Sequence, residues 1–380
     1  MAERVYLDWN ATAPLRAEAR AAMLAALDVV GNPSSVHAEG RTARRLVEHA
    51  REQVAALVGA APGNVTFTSG GTEANVSALS PSPRSPGEQL LVSAIEHPSV
   101  RAGGRFPATE EVPVTAQGQV DVAALERRLS QRGGRPLVSI MLANNETGVV
   151  QPVAAAAKAV HAAGGLLHTD AVQAAGKIPC DIGALGADLV SVSAHKLGGP
   201  QGIGALIRRD DAVPLEPLVK GGGQERGVRA GTENVAAIAG FGAAAAAATV
   251  ALESDGRRMA ALRARLEVGL KVISPEVIIF GADVARLPNT SLFAAPGMKA
   301  ETAVIAFDLE GVAVSSGAAC SSGKVAPSHV LAAMGAGAAL ARGAVRVSLG
   351  WSTQEADIDR FLNAWRKVAG ALLKETGIAA

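Results

Sequence analysis

The chain has 380 residues, 48% apolar and 19% charged, with 36 basic side chains against 35 acidic ones and a net charge of +1. This balance supports a packed core in roughly two domains and excludes a disordered chain. With 3% aromatics and one Tyr there is neither a basic field nor a stacking platform, so nucleic acid is not an expected partner.

The N-terminal stretch MAERVYLDWNATAPL carries no apolar run behind a basic start, so no secretory signal is expected. From about Pro14 to Val250, short β-branched runs alternate with Ala-rich stretches, the pattern of parallel β-α-β units. Ligands of such sheets collect where strands end and helices begin, so the loops there are the places to look for chemistry.

The first such loop, SGGTEAN (69–75), follows VTFT, and Gly70-Gly71-Thr72 at a helix start can offer free N–H groups to an anion. After LLVSAI (90–95) comes His97, placed to lie against a planar group or to move a proton. LVSIMLA (137–143) reads as a buried strand leading into NNETG (144–148). Pro152 and VAAAAKAVHAA then form a crossover helix stopped at Gly164-Gly165, and LLHTD (166–170) is the next strand. Asp170 closes that strand, with Gln173 just beyond. DLVSVSAHK (188–196) is a further strand, ending on Ser193, His195 and Lys196 before Gly198-Gly199.

The run Val235–Leu252 reaches the length of a membrane span, but Ala dominates it, and it is read as a buried or subunit-contact helix. A charged stretch (253–268) follows, and then shorter apolar runs fit a smaller α+β domain. There Arg346 is the only charge in AVRVSLG and suits a carboxylate.

Two cysteines, Cys180 and Cys320, give neither a disulfide framework nor a clustered zinc spacing, which predicts a reducing, cytoplasmic setting. The seven histidines show no paired spacing, so no metal site is expected. GAACSSGK (317–324) is no Walker A loop, having five residues between its glycines and Val325 where Ser or Thr is needed.

Singly, each candidate has a plain structural reading: Lys196 a surface lysine, Asp170 a helix cap, Gly70-Gly71-Thr72 any tight turn, His97 a structural histidine, Arg346 an internally paired strand residue. Together they say more. A lysine for an aldehyde and a carboxylate for a pyridine nitrogen, converging from adjacent strands, are what pyridoxal 5'-phosphate requires of a protein.

The chain resembles the cysteine desulfurases, fold-type I pyridoxal phosphate enzymes of the class V aminotransferase family. The resemblance runs in order through YLDWNATAP (6–14), GNPSSVH (31–37), FTSGGTEAN (67–75), EHPSV (96–100), NNETGVVQP (144–152), HTDAVQAAGK (168–177), SAHKLGGPQGIGAL (193–206), GGGQERGVRAGTEN (221–234), SSGAACSSG (315–323) and RVSLG (346–350). It implies a large α/β domain (14–250) with a mostly parallel mixed sheet flanked by helices. It also implies a small α+β domain (1–13 and 251–380) carrying a mobile cysteine loop.

By that resemblance Lys196 would hold the cofactor covalently, Asp170 would pair with its ring nitrogen, His97 would stack on it and Gln173 would bond its hydroxyl. Gly71, Thr72, Ser193 and His195 would hold the phosphate, joined by Thr232 of a neighbouring subunit, so a homodimer is implied. Asn145 and Arg346 would orient cofactor and substrate carboxylate, with Asn32 a further substrate-binding candidate. L-cysteine would yield L-alanine and a persulfide on Cys320, for delivery to an iron–sulfur scaffold or to tRNA thiolation. A selenocysteine lyase or an aminotransferase on the same scaffold is the alternative. Ala194 and Pro98 depart from the residues common in the family at those positions.

Overall fold

The computed structural model describes residues 4–81, 89–131, 134–317 and 328–373. In chain order its strands are β1 (Val5–Tyr6), β2 (Val65–Thr68), β3 (Gln89–Ser93), β4 (Thr109–Val112), β5 (Pro136–Ser139), β6 (Leu166–Asp170), β7 (Leu189–Ser193), β8 (Gly204–Arg208), β9 (Ile278–Ile279), β10 (Thr290–Ala294), β11 (Val312–Ala313), β12 (Ser315–Ser316) and β13 (Val345–Ser348).

A seven-stranded sheet has the order β2-β8-β7-β6-β5-β3-β4. All its pairs are parallel except those that β8 makes with β2 and β7. Strands β2, β5 and β7 are buried at every residue, so the Thr and Ser of VTFT, PLVS and LVSVS are enclosed along with their apolar neighbours. Since β2 and β7 are both antiparallel to β8, they run the same way. The carboxyl ends of β2, β3, β5, β6 and β7 thus share one edge of the sheet.

Local expectations are met with small shifts. The helix Val153–Ala162 starts after Pro152 and stops at Gly164, whose φ of +71° only glycine adopts cheaply. β5 ends at Ser139, earlier than the 137–143 run implies, yet the chain stays extended: Ile140 and Leu142 donate to the carbonyls of His168 and Asp170 at 3.1 and 2.9 Å.

The second sheet, β12-β13-β10-β9, is antiparallel. β1 pairs with β11 in parallel, and Asp8 bridges to Ser348, so the N-terminal residues zip onto the C-terminal third of the chain. The core is correspondingly divided. One large cluster fills the space around the seven-stranded sheet, and another is built from Leu7, Phe293, Phe307, Phe361 and Trp365.

The sequence pattern ends the Ala-rich helix near residue 252, whereas the helix is continuous from Val235 to Ile273. Its first half, with Ile238, Phe241 and Ala245, packs in the large cluster; its second half supplies Leu262, Leu266 and Leu270 to the other. The change in composition marks the passage from one core to the next, not a break in the helix. Although apolar enough to cross a membrane, its first half is core-packed in this way.

Candidate active site

The shared strand edge opens on a cavity of about 300 Å³ lined by Gly71, Thr72, His97, Asn145, Asp170, Gln173, Ser193, His195, Lys196 and Arg346. Ten residues picked from separate motifs thus meet in one place. Asn32 does not line it; it is exposed, and its Oδ1 accepts from the Ser34 N–H at 2.9 Å. Thr232 is also exposed and outside the cavity of its own chain. Cys320 and the segment expected to swing lie outside the described residues.

Asp170, the last residue of β6, is buried, with both carboxylate oxygens engaged. Oδ1 accepts from the Val172 N–H at 2.9 Å and Oδ2 from Asn75 Nδ2 at 2.7 Å. These donors fix the direction in which the carboxylate faces the cavity.

Asn75 is the main residue missed at the level of sequence. It stands four positions after Gly71 on the helix Gly71–Ala78, hence on the same face, and that spacing inside SGGTEAN was the available signal. Its amide nitrogen also donates to Ser99 Oγ at 2.9 Å, and Ser99 Oγ lies 2.8 Å from His97 Nδ1. Because the Ser99 N–H donates to that same Nδ1 at 3.1 Å, the ring accepts there, and a neutral His97 carries its proton on Nε2. Burial holds His97 below the usual imidazole range, partly offset by Asp170, so the neutral ring is favoured. Pro98 costs this arrangement nothing, since it occupies the first turn of the helix Pro98–Arg101, where no N–H donor is needed.

Lys196 follows β7 on a single 3-10 turn, Ala194–Lys196. Its Nζ donates to the carbonyls of Asn10 and Ala11 at 2.5 and 2.7 Å. Asn10, the second residue missed, also takes a bond from Gln173 Nε2 at 3.0 Å, while its own side chain donates to Thr290 Oγ1 at 2.9 Å. It thereby ties the cavity to β10. His195 beside it is pushed down to about 4 by burial and by Lys196 and Lys177, and lies 3.2 Å from Thr12 Oγ1. Ala194 is fully buried, and its Cβ lies 2.8 Å from where a side chain on Gly199 would begin, so Gly199 is the small partner of that contact.

Opposite stands Arg346 on β13, which is 2% exposed and donates to the Asn145 carbonyl at 2.9 Å and to Asp8 Oδ1 at 2.8 Å.

Two features test the fit of pyridoxal phosphate. At the start of the helix Gly71–Ala78 no side chain caps the first N–H groups, and a Cβ on Gly71 would stand 3.0 Å from Val172 Cγ2 and 3.4 Å from Ser193 Cβ, filling the cradle. Across the cavity stand an acceptor-only carboxylate and a donor amine, the pair its ring nitrogen and aldehyde require. The donor set fits the group.

Comparison with known proteins agrees. The family description Aminotransferase class-V matches residues 5–361. A cysteine desulfurase of Cereibacter sphaeroides is 45% identical over 95% of this chain and 94% of its own length. An IscS-like cysteine desulfurase of Mycobacterium tuberculosis is 40% identical over 94% of each. A crystal structure of a NifS-like protein from Rickettsia africae superposes with a TM-score of 0.90 at 38% identity, covering 97% of this chain and all of that one (100%).

Proposed function

The chain belongs to the class-V aminotransferase family, and from that premise we propose that it is a pyridoxal phosphate-dependent cysteine desulfurase that passes the sulfur of L-cysteine to Cys320. The observation that carries this reading is the convergence of Lys196, Asp170 and the uncapped helix start at Gly71 on one cavity. Bound there, pyridoxal phosphate supplies an electron sink that makes the substrate Cα–H acidic and the C–S bond labile.

The residues of the chain do the rest. Gly71, Thr72, Ser193 and His195 hold the phosphate, Asp170 the ring nitrogen, and Gln173 the ring hydroxyl, with Asn145 beside the ring. Arg346 takes the substrate carboxylate with the free edge of its guanidinium. Lys196 would be the covalent anchor of the cofactor and the amine available as a base, and His97, with a proton on Nε2, would be a group able to give a proton in the cavity. Cys320 attacks as thiolate on the substrate sulfur: an S–S bond forms, the C–S bond breaks with its electron pair on carbon, and that carbon takes a proton to give L-alanine.

We read the chain as two lobes, 14–250 and 1–13 with 251–380, meeting over the cavity. The exposure of Thr232 outside its own cavity supports a homodimer in which it reaches the partner's phosphate site. Asn32, proposed to bind substrate, is exposed and outside the cavity of its own chain, so it would have to reach substrate from elsewhere. The persulfide is destined for a sulfur acceptor such as an iron–sulfur scaffold, in a cytoplasmic setting.

The test is alanine and sulfide formation from L-cysteine by the wild type, Lys196→Ala and Cys320→Ala in the presence of a thiol. Both variants should lose turnover, Lys196→Ala together with the visible absorption of the bound cofactor. Full activity in Cys320→Ala would overturn the sulfur-transfer role, and an unchanged absorption in Lys196→Ala would overturn the anchor.

A further inference from the structure

Behind the cavity lies a lysine for which the chemistry above has no use. Lys177 is buried, and its Nζ donates to the Gln173 carbonyl at 2.9 Å and to Gln173 Oε1 at 3.2 Å. On the other side of the same amide, Gln173 Nε2 donates to the Asn10 carbonyl at 3.0 Å. These two partners remove the ambiguity of a glutamine side chain. An ammonium has only donors and a carbonyl only acceptors, so the amide has one orientation in which both are satisfied. In that orientation Oε1 points back to Lys177, and the second hydrogen on Nε2 is left over at the wall of the cavity.

Resting on the reading of Gln173 as the partner of the ring hydroxyl, we infer that Lys177 is a positioning residue that locks the Gln173 amide with its N–H toward the cofactor. Without it a turned amide would set Oε1, an acceptor, against the ring oxygen, where lone pairs would repel. The Asn10 carbonyl fixes the Nε2 edge of the amide and Lys177 the Oε1 edge, so each partner favours the same orientation. Burial, with Lys196 and Arg346 nearby, lowers Lys177 to about 7. The lock is strongest for the ammonium, which has only donors, and loosens for the neutral amine, whose lone pair can accept from a turned amide.

The experiment uses the full-length protein loaded with pyridoxal 5'-phosphate and follows the pH dependence of its visible absorption, which reports the proton shared by the cofactor's link to Lys196 and its ring oxygen. A donor on that oxygen stabilises its anionic form and eases loss of the shared proton. Lys177→Met, of similar length and without donors, is expected to raise the apparent pKa of the transition by about one unit. Gln173→Ala should raise it similarly, and the double variant should add nothing to Gln173→Ala alone. Lys177→Gln, which restores a donor, should return the transition toward that of the wild type, and it answers the question if Lys177→Met fails to fold. An unshifted transition in Lys177→Met, or full additivity in the double variant, overturns the inference. Absence of visible absorption in the loaded wild type would instead overturn the cofactor reading on which it rests.

Discussion

Arg346 meets the cavity with one arm already taken: its Nη2 donates to Oδ1 of Asp8 at 2.8 Å, so a strand residue near the C-terminus is oriented by a carboxylate near the N-terminus. Its Nη1 is held by the Asn145 carbonyl, and its buried Nε has no hydrogen-bond partner among the described residues. A planar fork held at two points presents its remaining hydrogens in a set direction, and an ammonium cannot do this. Arg346→Lys should therefore raise KM for L-cysteine about tenfold or more while leaving the absorption of the bound cofactor unchanged. A KM within twofold of the wild type would remove Arg346 from carboxylate binding.

Asn75 joins Asp170 to Ser99 and, through it, to His97. Removing the amide leaves a buried carboxylate oxygen short of a donor and frees the Ser99 hydroxyl, so Asn75→Ala should weaken pyridoxal phosphate binding on the order of tenfold. Equilibrium titration of the apoprotein checks this, and an affinity equal to that of the wild type would show that the Val172 N–H alone suffices for Asp170.

Glu146 neighbours Asn145 and accepts from the hydroxyl of Ser328 at 2.5 Å; burial raises it to about 7, with Ser328 and Arg346 pulling the other way. A carboxyl that binds its proton more tightly when folded stabilises the fold fully below the unfolded value of 4.5, and loses that contribution as pH rises through about 7. His168 and His195, both lowered to about 4, contribute the opposite slope at acid pH, so the informative quantity is the difference between a variant and the wild type. Glu146→Gln lacks the titration and keeps an acceptor for Ser328. Its stability relative to the wild type should rise by on the order of 3 kcal/mol between pH 5 and pH 8 in urea melts. A constant difference would place Glu146 in its charged form throughout.

The two thiols should differ sharply. Cys180 is 3% exposed and pushed up to about 12 by burial, so it stays a thiol at neutral pH. Iodoacetamide on the native protein should label Cys320 and spare Cys180 until the protein is unfolded, as read by peptide mass. Labelling of Cys180 in the native state would contradict its burial.

Much of the site was readable from local pattern. Asp170 ends a strand and Lys196 and Gly71 each follow one, and parallel strands deliver their carboxyl ends to one edge, so recognising the strands was enough to bring these residues together. The crossover helix after Pro152 was equally local, since its start and stop signals lie within the segment itself.

Other features depend on contacts between distant parts of the chain. The single helix from Val235 to Ile273 was divided in the sequence reading, because composition follows the core that a segment faces and this helix faces two. Asn10 and Lys177 carry no pattern of their own, and the spacing that puts Asn75 on the face of Gly71 does not say which carboxylate it meets. Each matters through a polar contact with a side chain or carbonyl that arrives on another element or another turn, and hydrogen bonding leaves no periodic trace in the chain. Periodicity and turn chemistry, being short-range, were enough to mark the strands that end at the cavity and the reactive groups beside them, while β4 and β8 carried no such mark. Which amide orients which carboxylate followed from packing, because Asn75 and Asp170 stand on different elements and meet only in the fold; Lys177 and Gln173 lie four residues apart, and only their burial beside the cavity gives that local contact a role.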